Sequence, residues 1–399
     1  MTWGDEGFSV LLGTGYLLVM TLGWLGLLWG AGEWGKKWRL ERHPTAEASS
    51  VKVSICIPAR NEESGIADCV AAALAQEYPN FEVLVCDDRS EDSTAELALN
   101  AAAGDSRFRL ISGEEPAAGW AGKPWACQRL AGESSGELLL FVDADVQLSP
   151  WIVKEVVREQ QQRGAALLSL FGDWDLRSFW ERAVIPVVGW LIRGTVNLDE
   201  VNNPTSPTAF ANGQFILVER TAYERVGGHG VVRAEVLEDV RLARAFKTRA
   251  MPTVLLHAPG AFRVRLYSGL SEIISGYRKN LYEGLGRRLS LGLGAILFVF
   301  VGTFLPFFVL FGLVISKFQW GWDVSLLWVG WSALLCGLIP LFRWRVERID
   351  GRSGWHATTH LLGNLILVWI LIRAIFSIES EWKGRRFVDG KAGGSPLQK

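Results

Sequence analysis

The apolar residues of this 399-residue chain are concentrated towards its two ends. Residues 9–31 contain no charged side chain, and about 20 such residues can cross the hydrocarbon core of a membrane as a helix. Residues 289–315 and 324–342 are also long and uniformly apolar, whereas 356–378 are interrupted by Arg373. The pattern predicts three spans and a fourth segment that either spans or re-enters the membrane.

The charges beside the first apolar run distinguish an anchor from a cleaved signal peptide. No basic residue precedes the run and no small-residue cleavage site follows it, which favours an anchor. Residues 5–6 are acidic, whereas 36–42 hold four basic residues, so the domain that follows is predicted to be cytosolic. The four arginines at 343–352 agree with this orientation. The basic residues at 383–386 disagree if the fourth segment crosses completely, and the sequence leaves that conflict open.

Between the apolar ends, short runs rich in β-branched residues alternate with amphipathic stretches. The runs predict strands and the stretches predict helices. This alternation is typical of an α/β fold with a mostly parallel sheet, in which ligands bind beyond the carboxyl ends of the strands. The predicted strands are 51–57, 81–86, 108–111 and 137–142, and the predicted helices between them include 62–76 and 91–103.

Composition argues against several classes of function. A net charge of −1 gives no basic footprint for nucleic acid. The five cysteines show no paired metal spacing, so zinc and structural disulfides are not expected. His356 and His360 lie four apart on one helical face, but a pair without a third ligand is more typical of packing than of a metal site.

Two acidic turns follow predicted strands. Asp88 follows the second strand, and Asp143 and Asp145 follow the strand at 137–142. Two carboxylates at one sheet edge can share a divalent cation with the phosphates of a nucleotide. The alternative is a helix cap in a solvated acidic loop. The presence of two such turns favours the cation, because that much negative charge is costly without one.

The order of motifs over residues 51–284 resembles that of the family-2 glycosyltransferases, which have the GT-A fold. IPARNEE (57–63) resembles the family's nucleotide loop, DAD (143–145) its metal motif, and LED (237–239) the segment that supplies the catalytic base. The resemblance implies a Rossmann-like domain that transfers a sugar from a nucleotide-sugar. It also implies donor binding by Pro58, Arg60, Glu62, Asp88 and Asp143, and a Mg²⁺ or Mn²⁺ ion held by Asp145 with Asp143.

Asp239 is the predicted catalytic base, with Glu238 beside it. An inverting transfer needs one carboxylate to take the proton of the acceptor hydroxyl. The neighbouring Glu238 is expected to raise the pKa of Asp239 and make it a better base. The alternative is ordinary acidic charge at a helix start, and the order of the family motifs favours catalysis.

Cationic side chains are needed for the leaving diphosphate. Lys123 in GWAGKPWA (119–126) is one predicted donor ligand, although it could be a surface lysine. Arg278 and Lys279 are two more, and they occupy the position where processive relatives carry Gln-x-x-Arg-Trp. The absence of that motif argues against a cellulose-like or chitin-like polymerase.

Acceptor contacts are predicted for Trp120, Asn212, Gly213 and Gln214, although the last three could simply form a strand with a bulge. Two amphipathic stretches, 179–196 and 270–285, could lie in the membrane interface and guide a lipid to the base. Alternatively, they pack against the sheet or the spans.

The whole chain resembles a membrane-bound subgroup that glycosylates lipids, including carotenoid glucosyltransferases of the hydroxychlorobactene type and hopanoid-associated glycosyltransferases. The resemblance implies transfer of one sugar, with glucose as the first choice, from a UDP-sugar to a lipid. It also implies a multi-pass protein of the cell membrane whose catalytic domain is cytoplasmic. A polysaccharide synthase or an inactive sugar-binding scaffold are the alternatives. The predicted organisation is an anchor (1–35), a GT-A domain (50–268), an interfacial helix (269–288), a transmembrane region (289–382) and a polar tail (383–399).

Overall fold

A computed structural model describes residues 3–45, 47–235, 237–376, 379–382, 385–388 and 391–392. Side chains are described from residue 11 to 376, except at 46, 236, 279, 282 and 283. The chain forms two compact units. The helical unit comprises 1–34, 177–191 and 269–376, and the α/β unit comprises 35–176, 192–268 and 377–399. The predicted polar tail lies largely outside the described residues.

The secondary structure alternates through the α/β unit and is helical elsewhere. The strands are β1 (Val53–Ala59), β2 (Phe81–Asp87), β3 (Phe108–Ser112), β4 (Leu138–Val142), β5 (Val146–Leu148), β6 (Leu167–Phe171), β7 (Asp173–Trp174), β8 (Phe215–Glu219), β9 (Thr253–His257), β10 (Phe262–Val264), β11 (Glu379–Trp382), β12 (Arg385–Val388) and β13 (Lys391–Ala392). The helices are α1 (Trp3–Glu33), α2 (Ile66–Leu74), α3 (Thr94–Ala102), α4 (Gly122–Glu133), α5 (Ile152–Arg163), α6 (Phe179–Thr195), α7 (Leu198–Asn202), α8 (Arg220–Val226), α9 (Glu238–Lys247), α10 (Leu270–Gly284), α11 (Leu289–Val299), α12 (Leu305–Phe318), α13 (Leu326–Ile349) and α14 (His360–Ile375).

A seven-stranded sheet organises the α/β unit, in the order β3-β2-β1-β4-β8-β6-β9. The four predicted strands are confirmed as β1 to β4, which pair in parallel. Strand β8 runs antiparallel to both neighbours, β4 and β6. Every residue of β4 is buried, as expected for a strand covered on both faces. The sheet is therefore mixed and mostly parallel, as in the GT-A fold.

Among the described residues, the helical unit contains four helices long and apolar enough to cross a membrane: Leu11–Glu33, Leu289–Phe318, Leu326–Ile349 and Trp355–Ile375. The second passes through a π-helical turn at Phe300–Phe304. The fourth corresponds to the segment left open by the sequence, and it is a continuous helical stretch. Large apolar side chains such as Leu12, Leu22, Phe311 and Leu327 remain exposed, which is typical of a surface that meets lipid or another apolar partner.

Residues 179–191 of α6 belong to the helical unit, although the sequence grouped them with the GT-A domain. The guanidinium of Arg343 on α13 donates to the backbone oxygen of Arg182 at 2.6 Å. A Cβ at Gly363 on α14 would lie 2.3 Å from the backbone oxygen of Ala183. The apolar stretch therefore packs against membrane-type helices, the second of the two interpretations that the sequence allowed.

Candidate active site

The candidate site lies in the α/β unit, beyond the carboxyl ends of β1, β2 and β4. Parallel pairing brings Ala59 opposite Asp87, so the loops after β1 and β2 are neighbours. Strand β4 pairs with the other side of β1, so Asp143 follows on the same edge. This is the sheet edge at which α/β proteins bind ligands.

The predicted nucleotide loop is held by hydrogen bonds between the two strand ends. Arg60 Nη1 donates to the backbone oxygen of Asp88 at 2.7 Å. The backbone N–H of Asp88 donates to Ala59 O at 2.7 Å, and that of Glu62 donates to Thr94 Oγ1 at 2.8 Å. Asp88 is buried, with only 4% of the residue exposed. The structure thus brings Arg60, Glu62 and Asp88 together, and their contact with a donor stays a prediction.

Lys123 links the DAD and LED motifs. It is the second residue of α4, and its Nζ lies 2.6 Å from Asp143 Oδ1 and 3.0 Å from Glu238 Oε1. Burial acts to lower the pKa of Lys123, but the carboxylates of Asp143 and Glu238 outweigh burial, and the pKa lies well above its ordinary value. The lysine is therefore a fixed positive charge between two acidic side chains, an arrangement that its sequence position does not reveal.

The carboxylate of Asp239 is oriented at the start of α9. Its Oδ2 accepts a hydrogen bond from the backbone N–H of Gly213 at 2.8 Å, and its Oδ1 accepts one from Val240 at 2.7 Å. Burial, and then the negative charge of Glu238, raise the pKa of Asp239 to about 6, against the lowering effects of Lys123 and the two N–H groups. Asp239 is thus ionised at neutral pH and a stronger base than a free aspartate.

The side chains of Asp239 and Lys123 approach the backbone of Gly213 closely, which favours glycine at this position. A Cβ at this position would lie 2.9 Å from Asp239 Oδ2 and 3.2 Å from Lys123 Nζ. The neighbouring amides hold the chain in this place, since Asn212 Nδ2 donates to Leu170 O at 2.9 Å and to Gln214 Oε1 at 3.1 Å. Asn212 and Gln214 therefore support the Gly213 backbone, and their contact with an acceptor stays a prediction.

The acidic pair after β4 suits a cation shared with phosphate. Asp145 lies against Gly65, where a Cβ would come within 3.3 Å of the Asp145 Cα. Within the described part of the chain, no group of three or more His, Cys, Asp or Glu side chains is placed to hold a metal. Mg²⁺ commonly takes one or two carboxylates and completes its shell with water and substrate phosphates. Two carboxylates are a donor set that this mode of binding can use, and metal binding by Asp143 and Asp145 stays a prediction.

His229 lines the same pocket and was not identified from the sequence. The pocket wall includes Lys123, Asp143, Gly213 and Glu238. The backbone N–H of His229 donates to Tyr223 Oη at 3.0 Å, and Tyr223 Oη lies 2.7 Å from His229 Nδ1. Burial, with help from Lys123, lowers the pKa of His229 to about 4 although Glu238 opposes this. A neutral histidine therefore lines the pocket together with Asp143 and Glu238. Its sequence context, a single histidine after two glycines, contains no motif that predicts this position.

Pro58 lines the same pocket, and three further residues were predicted to contact the donor or the acceptor. Trp120 precedes α4 and makes an edge contact with Trp125, with ring centroids 5.2 Å apart. Arg278 lies on α10 in the helical unit. The side chain of Lys279 is outside the described residues. The roles of these three residues stay predictions.

Known proteins are similar to part of this chain. Residues 54–227 match the family model for glycosyl transferase family 2. A 4,4'-diaponeurosporenoate glycosyltransferase of Staphylococcus haemolyticus is 27% identical over 237 residues, which cover 58% of this chain and 61% of that protein. The protein of the same name from Staphylococcus aureus strain USA300 is 27% identical over 243 residues, with 59% and 62% covered. The chain thus spans about three fifths of the length of these relatives.

Solved structures with similar architecture include two sugar-transferring proteins. A mannosyltransferase from Pyrobaculum calidifontis, in complex with GDP-Man and Mn²⁺, has a TM-score of 0.46 and 15% identity over 90% of this chain and 96% of that one. Glucosyl-3-phosphoglycerate synthase from Mycobacterium tuberculosis, with Mn²⁺, UDP and product, has a TM-score of 0.42 and 19% identity over 63% and 87%. The family match and the staphylococcal relatives thus assign residues 54–227 to glycosyl transferase family 2.

Proposed function

We propose that this protein is a membrane-bound inverting glycosyltransferase that moves one sugar from a nucleotide-sugar to a lipid. The observation that carries the proposal is the Asp239 carboxylate, which two backbone N–H groups orient close to Lys123, the partner of Asp143. A base beside a donor-binding edge is what the reaction requires. The match to glycosyl transferase family 2 supports the enzyme class, and the sugar donor and the lipid acceptor are proposed.

Asp239 acts as the general base in this mechanism. Its carboxylate accepts the proton of the acceptor hydroxyl while the acceptor oxygen attacks the anomeric carbon from the face opposite the diphosphate. The bond from the anomeric carbon to the diphosphate oxygen breaks, and its electron pair leaves with the nucleoside diphosphate. An acceptor carboxylate, which has no proton to lose, would attack directly. The hydrogen bonds from Gly213 and Val240 keep the Asp239 carboxylate in one orientation throughout.

The leaving diphosphate needs positive charge. Asp143 and Asp145 would hold a Mg²⁺ or Mn²⁺ ion, which would neutralise charge on the diphosphate. Lys123 holds Asp143 and Glu238 in fixed positions and adds its own positive charge to this edge. Glu238 in turn contributes to the raised pKa of Asp239.

The acceptor is proposed to be a carotenoid, a hopanoid or another polyisoprenoid with a hydroxyl or carboxyl group. Four apolar helices of membrane-spanning length support a lipid acceptor, because an enzyme for soluble acceptors needs no such anchor. The staphylococcal relatives support it too, since their name specifies a carotenoid carboxylate. The missing Gln-x-x-Arg-Trp motif supports addition of one sugar. UDP-glucose is the proposed donor, and the α/β unit is proposed to face the cytoplasm of a multi-pass cell-membrane protein.

Protein purified in detergent, assayed with radiolabelled UDP-glucose and GDP-mannose, tests this function. The acceptors are a hydroxylated carotenoid, a carboxylated carotenoid and a water-soluble sugar as the control. We expect label in the lipid fraction that needs added Mg²⁺ or Mn²⁺ and disappears in excess chelator. Label only in the soluble acceptor, or full activity in chelator, would contradict the proposal.

A further inference from the structure

Two buried polar side chains of the helical unit have nitrogens without hydrogen-bond partners. Arg343 on α13 is 1% exposed and His360, the first residue of α14, is 7% exposed. Among the described residues, Arg343 Nη1 and both ring nitrogens of His360 have no hydrogen-bond partner. Buried polar groups are nearly always paired, so each exception calls for a bound molecule or another physical reason.

The other nitrogens of Arg343 are already used. Its Nε donates to Glu347 Oε1 at 2.6 Å, and its Nη2 donates to the backbone oxygen of Arg182 at 2.6 Å. Glu347 also pairs with Arg352. The charge of Arg343 is therefore compensated within the unit. What Nη1 lacks is an acceptor oxygen and not a counter-charge.

The surroundings of these two residues are apolar and aromatic. The Trp24 ring lies 5.5 Å from Phe342, the residue before Arg343, and 6.1 Å from the ring of His360. Helices α13 and α14 also meet at α6, where Arg343 Nη2 donates to the backbone oxygen of Arg182 and Gly363 packs against that of Ala183. Asn364 donates to the backbone oxygen of His360 at 2.9 Å and does not pair with the imidazole ring. Apolar walls with a few convergent polar groups are characteristic of ligand sites.

We infer that Arg343 and His360 bind the hydroxyl end of a membrane lipid, a long-chain alcohol whose hydrocarbon body lies among the helices. A hydroxyl oxygen can accept from Arg343 Nη1, and its hydrogen can be donated to an unprotonated ring nitrogen of His360. A carboxylate would add a second negative charge near Glu347 and offer no donor to His360. The inference rests on the proposed function only in assigning the helices to a membrane.

Photolabelling of the full-length protein in detergent tests this site. The probe is a polyisoprenoid alcohol with a diazirine near its hydroxyl, with the unlabelled alcohol, the corresponding acid and the corresponding alkane as competitors. Arg343→Lys keeps the charge beside Glu347 and removes Nη1, and His360→Phe keeps the ring beside Trp24 and removes both nitrogens. Arg348→Lys, at an exposed position of α13, is the matched control.

We expect labelled peptides from the second half of α13 and the start of α14, with the alcohol competing better than the acid or the alkane. Each test variant should lose at least about fivefold in labelling, the loss of one hydrogen bond, while Arg348→Lys labels normally. Unchanged labelling in both variants, with their thermal unfolding unchanged, would overturn the site, as would label elsewhere or better competition by the acid. Sugar transfer is measured on the same samples, so absent transfer with intact labelling would contradict the proposed function alone.

Discussion

At the scale of single residues, the pKa of Asp239 sets the pH dependence of transfer. The base works only when ionised, so kcat/KM should fall as the pH drops through about 6, the pKa of Asp239 in the fold, with a slope approaching tenfold per pH unit. Glu238→Gln removes a neighbour that raises this pKa. The midpoint of its pH profile should therefore move to lower pH. A midpoint that stays fixed or moves upward in this variant would show that Asp239 does not govern the profile.

Gly213→Ala tests the close approach between the backbone and the catalytic carboxylate. The new Cβ would lie 2.9 Å from Asp239 Oδ2, so the carboxylate must shift and lose its hydrogen bond from residue 213. Because small misplacements can cost up to about 100-fold in rate, we expect kcat to fall at least about tenfold. Gly132→Ala on α4, where nothing lies within 4 Å of the added Cβ, is the control. Equal rates in both variants would contradict this role.

The sequence predicted the residues of this site better than their contacts. Asp88 and Asp143 were identifiable because they follow apolar strands, and Asp239 because it lies in the LED segment, in the order of the family motifs. The ion pair that Lys123 makes with both motifs depends on how α4 and α9 approach in space. Burial is the largest cause of the Asp239 shift, and only folding determines burial. His229 gave no signal because a lone histidine has no spacing to recognise.

At the scale of secondary-structure elements, the packing of α6 on α14 gives a test. A Cβ at Gly363 would lie 2.3 Å from the backbone oxygen of Ala183, so Gly363→Ala must push the two helices apart. Overpacking of this kind typically costs about 1–3 kcal/mol. The midpoint of thermal unfolding in detergent should fall for Gly363→Ala and stay unchanged for Gly294→Ala, where nothing lies within 4 Å. Matching midpoints would contradict this contact.

Strands and helices were predictable where the local pattern of apolar residues determines them. The four parallel strands are apolar runs covered on both faces, so their burial is visible in composition. Strand β8 is also apolar, but its antiparallel insertion between β4 and β6 arises from pairing between residues far apart in the chain. The assignment of residues 179–191 to the helical unit is likewise long-range, because an amphipathic helix can pack on a sheet or on other helices.

At the scale of the whole molecule, the proposed topology places the basic loop after the third span in the cytoplasm. Ser353→Cys should not react with an impermeant thiol reagent in intact cells, and it should react after lysis. Asp323→Cys, between the second and third spans, should react in intact cells. The five native cysteines are buried and give little background. Labelling of position 353 from outside, or the reverse pattern, would contradict the orientation.

Three of the four apolar helices followed from length and composition, because a long run without charge can satisfy its backbone hydrogen bonds as a helix and still face lipid. The fourth helix was uncertain because Arg373 interrupts the run near its end. The structure places Arg373 in the last turn of α14, and basic side chains at helix ends can reach the membrane interface. Which segments join each unit could not be read from the sequence, since that depends on tertiary packing.

The central claim is that Asp239 catalyses transfer of a single sugar to a lipid. The most direct measurement compares the natural protein and Asp239→Asn by mass spectrometry of the lipid product, with donor affinity measured in parallel. We predict a lipid carrying one sugar from the natural protein. With a hydroxylated lipid as the acceptor, the variant should be about 100-fold or more slower, with donor affinity within a few-fold of normal. Comparable turnover by Asp239→Asn, chains of several sugars on each lipid, or sugar on soluble acceptors alone would contradict the account.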